Sequence, residues 1–326
     1  MEEKNTYLGR LRNLVFVVIG VVIISQLFVP SFVTHSATLI KTKFSNRSNF
    51  VSPAIGPNLF KLNYSNEFAI FVPSSGDLIK TFDKANFQLK NVINGKDSVP
   101  RIYVSKLPHD IGKVVSINQK KSLYIRILLP LILQVNEDIE NDRDLIRSLM
   151  NKHKHELKFS VSEASWLIKI FERYDLKLYD FKGLLIRHDI IPPSLALAQS
   201  IIESGWGTSR FAINGNAIFG QWTFKTGTGL VPLKRSPGKA HEIKSFDKLE
   251  HSVEQYIFNL NYHRAYKEFR NLREKMRKGN KFDSFSLAGT LESYSEKRDS
   301  YVELVKLIMQ SNNLNRLDTV KFREYF

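Results

Sequence analysis

The stretch SIIESGWGTSRFA, Ser200 to Ala212, decides how this chain is read. It ends an apolar run, PPSLALAQSIIES, whose Pro192 and Pro193 suit the first turn of a helix. Leu195, Ala198, Ile201 and Ile202 give that helix a side to bury, and Gly205 is the natural residue just past its end. The helix therefore closes on a carboxylate, Glu203, set beside Gly205, Trp206 and Gly207. Unpaired carbonyls make the field at a helix C-terminus negative, so a lysine or arginine is favoured there and an ionised glutamate is not. Apolar cover from Trp206 acts in the same direction, and both effects raise the carboxyl pKa. A glutamic acid still protonated near neutral pH is what a glycosidase needs to protonate a departing sugar oxygen. The alternative is a glutamate bonded to a neighbouring backbone amide, and the residue types alone leave both open.

Downstream, residues 213–245 are rich in glycine and proline, and GLVPLK and HEIKSF are strand-like, which predicts a small hairpin lobe. Between Ser204 and Ser245 the only acidic residue is Glu242. Trp206, Phe211, Phe219, Trp222 and Phe224 crowd the same stretch. Such rings either stack on the apolar faces of sugars or fill the core under the lobe, the expected fate of Phe211 and Phe224. The rest of the chain from 140 onward has helical periodicity. SVSEASWLIKIFERYDL opens with a capping box, Ser160 and Glu163, and Trp166, Leu167, Ile170 and Phe171 form one face.

Taken in order, PPSLALAQSIIESGWGTSRFA, GNAIFGQW and YSEKRDSYV resemble the glucosaminidase group of lysozyme-like hydrolases, glycoside hydrolase family 73, and more narrowly the bacterial Bax-type proteins. The resemblance covers roughly residues 120–318. It implies an α+β fold, a mainly helical lysozyme-like catalytic domain with a small β-lobe. It implies hydrolysis of the β-1,4 bond after N-acetylglucosamine in peptidoglycan, with Glu203 as general acid and no cofactor or metal. Tyr294 matches the tyrosine near the acid and Gln221 and Trp222 match the cleft-lining segment, while Trp206, Asn216 and Phe219 are expected to bind substrate beside them. Relatives usually carry Asn-Asn where this chain has Asn216-Ala217. Glu242 is the candidate second carboxylate. An inverting enzyme separates two carboxyls by roughly 6.5–9.5 Å to hold a water. If Glu242 faces away, the acetamido group of the substrate is the nucleophile, and both routes stay open.

The N-terminus predicts an anchor. LVFVVIGVVIISQLFV, Leu14 to Val29, follows Lys4, Arg10 and Arg12. As a helix it spans about 24 Å, and Phe32 and Val33 bring it closer to a bilayer core of about 30 Å. No clean cleavage signature follows. The expected layout is 1–13 cytoplasmic, 14–33 transmembrane signal anchor, 34–60 stalk, 61–139 a mixed N-terminal region and 140–326 the catalytic domain, placed in the periplasm on the inner membrane. FAIFV (Phe68–Val72) and RIYVSKL (Arg101–Leu107) are strand-like. SLYIRILLPLILQVNEDI, Ser122 to Ile139, is one kinked helix or two, because of Pro130.

The remaining features exclude more than they assign. The chain has no cysteine, so disulfides and thiolate chemistry are absent. His153 and His155 lie two apart on different sides of a helix, a poor metal site. The net charge of +16 calls for an anionic partner, whether nucleic acid, membrane or acidic polymer. Peptidoglycan stem peptides carry carboxylates and satisfy that demand, so glycan strands are the expected partner and nucleic acid is not. The rival to an enzyme is a non-catalytic, membrane-anchored module that binds or scaffolds peptidoglycan.

Overall fold

The two strand-like runs near the start of the described chain pair with each other. Ala69–Ile70 (β1) lies parallel to Tyr103–Val104 (β2), with Ala69 opposite Tyr103 and Ile70 opposite Val104. The structure is a computed structural model that describes residues 69–223, 227–232, 242–295 and 297–324. The expected anchor at 14–33 and the stalk at 34–60 lie outside these. Among the described residues, no helix is long and apolar enough to cross a membrane.

Between β1 and β2 the expectation of strands and loops is corrected. Ser75–Lys84 (α1) and Leu89–Ile93 (α2) are helices. A parallel pair needs a long crossover, and a helix is the usual way to build one. Ser74 caps α1 by accepting from the Asp77 amide, and Leu78 and Phe82, one turn apart, point into the core.

Ile117–Lys154 (α3) is one helix with Pro130 inside it. Every residue from Leu123 to Ile132 is buried, so packing on all sides offsets the hydrogen bond that Pro130 cannot make. This helix crosses the boundary expected at 139/140. A single apolar core joins Leu78, Phe82 and Tyr103 from the N-terminal segment to Leu195, Tyr256 and Tyr301. The described N-terminal segment is therefore packed into the same body as the helices that follow.

Val161–Arg173 (α4) starts with the expected capping box. The Glu163 amide donates to Ser160 Oγ at 3.2 Å, and the Ser160 amide donates to Glu163 Oε2 at 2.8 Å. Trp166, Leu167, Ile170 and Phe171 then enter a second, smaller core with Tyr174 and Phe181. After Phe181–Arg187 (α5) comes Pro193–Ser204 (α6), the central helix. It was expected to bury one side; instead it is buried all round except at Ile202 and Glu203. Its first turn has a cap from far along the chain. Asp318 accepts from the Ser194 amide and from Ser194 Oγ, both at 2.8 Å.

Arg210–Gly215 (α7) leads to the lobe, where Trp222–Thr223 (β3), Gly229–Leu230 (β4) and Glu242–Lys244 (β5) form an antiparallel sheet with β5 central. Trp222 and Leu230 both face Ile243 in register. Leu249–Tyr262 (α8), Lys267–Lys278 (α9), Ser284–Ala288 (α10) and Arg298–Ser311 (α11) complete the helices, and α11 packs on α6. The result is α+β: mainly helical, with a small antiparallel sheet.

Candidate active site

Glu203 occupies the last turn of α6, and the chain behind it turns in an uncommon way. Gly205, Trp206 and Gly207 all have positive φ, at 60°, 60° and 75°. For Trp206 this conformation costs about 1–2 kcal/mol, so neighbouring contacts must hold it. Tyr124 of α3 supplies them. Its hydroxyl lies 2.7 Å from Ser204 Oγ and 3.2 Å from the Ser200 carbonyl, and Ser204 Oγ accepts from the Gly207 amide at 2.9 Å. The Tyr124 ring meets Trp206 edge-on at 6.0 Å, and Lys121 Nζ sits 5.0 Å from the indole. A Cβ at Gly207 would fall 2.8 Å from the Tyr124 ring, so this close approach requires glycine.

The carboxyl of Glu203 is largely withdrawn from water. Tyr301 of α11 donates its hydroxyl to Oε1 at 3.1 Å. Gly220, at φ 61°, lies on the Oε2 side, where a Cβ would come within 3.4 Å. Burial pushes the Glu203 pKa up to about 7, and the Tyr301 hydrogen bond opposes that rise. Phenols surround the group. Burial raises the pKa of Tyr256, Tyr266, Tyr294 and Tyr301, and the nearby Glu203 raises each further. The residue as a whole keeps intermediate exposure.

The other expected residues divide. Tyr294 stacks on Tyr301 with ring centres 5.5 Å apart, and its hydroxyl donates to the Phe219 carbonyl at 3.5 Å. The tyrosine that bonds the acid is thus Tyr301, seven positions further along. Trp206, Gln221 and Trp222 are half-buried. Phe219 is 2% exposed and stacked on Tyr256 at 3.9 Å, so its ring belongs to the core. Asn216 lies at the end of the preceding helix, α7, in a left-handed conformation, is buried, and donates to the Phe246 carbonyl at 2.8 Å. Glu242 is buried in β5, where its oxygens accept from the Gly227 amide at 3.0 and 3.1 Å and from the Gly229 amide at 2.9 Å. That arrangement ties β5 to the Gly227 and Gly229 backbone at the start of β4. Phe224 lies outside the described residues. No group of metal-ligating side chains occurs among the described residues.

Reading by residue type missed Tyr301, Gln199 and Tyr256. Gln199 Nε2 donates to Tyr301 Oη at 2.9 Å, and Tyr256 Oη donates to Gln199 Oε1 at 2.7 Å. One signal was present: Gln199 is a lone amide in an apolar run, one helical turn before Glu203.

A helical body and a small sheet accompany a buried carboxyl at the end of the central helix. Residues 180–314 match the family model for glucosaminidase, described as mannosyl-glycoprotein endo-beta-N-acetylglucosaminidase. The chain belongs to the Bax-type branch of this glucosaminidase group, a family of glycoside hydrolases. It is 32% identical over 215 residues to Protein bax of Escherichia coli strain K12, a match covering 64% of this chain and 75% of that protein. No solved structure matches the chain.

Proposed function

We propose that the protein is a peptidoglycan hydrolase that cleaves the β-1,4 bond after N-acetylglucosamine, with Glu203 as the general acid. The observation that carries this reading is Glu203 itself. Its carboxyl is pushed up to about 7 by burial, the residue as a whole keeps intermediate exposure, and a glycine sits beside its second oxygen. A group with that pKa still holds a proton near neutral pH, when the glycosidic oxygen must receive one. As the bond from C1 to the glycosidic oxygen breaks, that oxygen takes the Glu203 proton. The substrate's acetamido oxygen bonds to C1 and closes a cationic ring. Water then opens the ring and returns a proton to Glu203. The engagement of Glu242 by the Gly227 and Gly229 amides supports this route over one in which Glu242 activates water. In this reading the half-buried Trp206 and Trp222 stack on sugar faces.

The same reading puts the protein at the inner membrane, held by the segment from Leu14 to Val33, with the catalytic part in the periplasm. Its partner is the glycan strand, whose stem-peptide carboxylates suit a chain of net charge +16.

The test is mass analysis of muropeptides released from purified peptidoglycan by the full chain and by Glu203→Gln. Products ending in N-acetylglucosamine from the parent, and their loss in the variant with glycan binding kept, are expected. A parent that binds glycan and releases nothing would identify a wall-binding module instead.

A further inference from the structure

The line of polar groups behind Glu203 runs in one direction. Tyr256 Oη donates to Gln199 Oε1 at 2.7 Å, Gln199 Nε2 donates to Tyr301 Oη at 2.9 Å, and Tyr301 Oη donates to Glu203 Oε1 at 3.1 Å. A phenol has one proton to give. Because Tyr301 accepts from the Gln199 amide nitrogen, its own proton is free to point at Glu203. The amide is in turn oriented by Tyr256, whose hydroxyl marks the oxygen end. The Tyr256 ring is itself held flat against Phe219, at 3.9 Å and 6° between planes. Gln199 is fully buried, with both ends of its amide bonded within this line.

We propose that Gln199 and Tyr256 are positioning residues that hold the Tyr301 proton on the Glu203 carboxylate. Their bonds run to one another and to Tyr301. They act by choosing which way Tyr301 donates. If the amide turned over, its oxygen would face Tyr301, take the phenol proton, and leave Glu203 without a donor. The role rests on the reading of Glu203 as the acid. As Glu203 gives up its proton, negative charge grows on its carboxylate, and an aligned donor already in place stabilises that charge without rearrangement. Donors aligned in series polarise one another and strengthen the last bond. The groups that act electrostatically on Glu203 are the phenols of Tyr256 on α8, Tyr266 and Tyr294 on the following turns, and Tyr301 on α11. All are neutral through the range in which Glu203 titrates, so a shift in its titration reports the hydrogen bond and not a second charge.

The experiment follows ionisation of Glu203 directly, in the full chain labelled with 13C-glutamate. The side-chain resonance is assigned by its loss in Glu203→Gln. Tyr301→Phe removes the last donor, Tyr256→Phe removes the group that orients the amide, and Gln199→Met removes the amide while keeping its bulk. The two phenylalanine variants each delete one oxygen and keep the ring stacking, and thermal unfolding confirms that they fold. Each single variant is expected to make Glu203 a weaker acid, by about tenfold for Tyr301→Phe. Adding Tyr256→Phe to Tyr301→Phe should produce no further change, because the two act through one bond. Identical titration of Glu203 in the parent, Tyr256→Phe and Gln199→Met would overturn the proposal. So would a double variant whose shift is the sum of two independent ones. Hydrolysis by Glu203→Gln is scored separately. If that variant still cuts glycan while Tyr256→Phe shifts the titration, the line of donors stands and the acid assignment falls.

Discussion

The Tyr301 hydroxyl lies 3.1 Å from Glu203 Oε1, although 98 residues separate the two in the chain. The contact exists because α11 packs on α6 along the buried side of the molecule. It opposes burial, which would otherwise push Glu203 further above about 7. The acid is thus set by two competing effects, withdrawal from water and one phenol donor, and each can be altered alone.

Activity should fall as pH rises through about 7, because Glu203 must be protonated to donate. Glu203→Gln should lower kcat by about 100-fold or more with little change in KM. A pH–rate profile of muropeptide release checks both. A basic limb that stays in place in Tyr301→Phe would separate that limb from Glu203.

The raised pKa also has a stability consequence. Unfolded, Glu203 ionises near 4.5, and folded only near 7. Below about 4.5 the carboxyl is neutral in both states and its burial carries no ionisation penalty. Between those values the unfolded chain releases a proton that the folded chain keeps, so the fold loses stability as pH rises, at about 1.4 kcal/mol per unit at most. Above about 7 the loss levels off. Glu203→Gln, which cannot ionise, should match the parent in Tm at pH 4 and exceed it at pH 8. Equal values at both pH would show that the carboxyl is not held neutral by the fold.

Gly207→Ala should destabilise more than Tyr124→Phe. The first forces a Cβ to within 2.8 Å of the Tyr124 ring at a φ of 75°. The second removes a hydroxyl bonded to Ser204, a loss of about 1 kcal/mol. Chemical denaturation of the two variants gives the order. The same order is expected in activity, because both changes disturb the turn that follows Glu203.

Glu242→Gln should retain measurable hydrolysis, because the residue ties β5 to the Gly227 and Gly229 amides. The freshly released sugar should keep the anomeric configuration of the glycan, as an acetamido nucleophile requires. Proton NMR of the first product decides this. An inverted product, together with an inactive Glu242→Gln, would make Glu242 the base.

Asp318→Ala should cost about 1–2 kcal/mol, read by thermal unfolding, because it uncaps the central helix at Ser194.

Much of this was legible one residue at a time. Pro192 and Pro193 opening α6, Gly205 ending it, and Ser160 with Glu163 starting α4 are local chemistry, fixed by a few neighbouring atoms. The two short runs at 68–72 and 101–107 supplied β1 and β2 for the same reason. The helices between them were missed, because their apolar positions gain meaning only against α3. Glu203 was legible because a carboxylate at a helix end conflicts with its surroundings. The neighbours that set its chemistry were not, because they come from elements far apart in sequence. Phe219 and Asn216 have the composition of a sugar-binding cleft, yet their side chains face the interior.

The order of residues by itself determined the helix that carries the acid, its ends, the lobe that follows and the family. Those depend on backbone preferences and spacing that act over a few positions. Only the tertiary structure decided that Tyr301 and not Tyr294 bonds the acid, that Gln199 and Tyr256 stand behind it, and that Glu242 ties β5 to the start of β4. These outcomes depend on which side chains meet once burial brings distant helices together, and hydrogen-bond direction is fixed only at that contact.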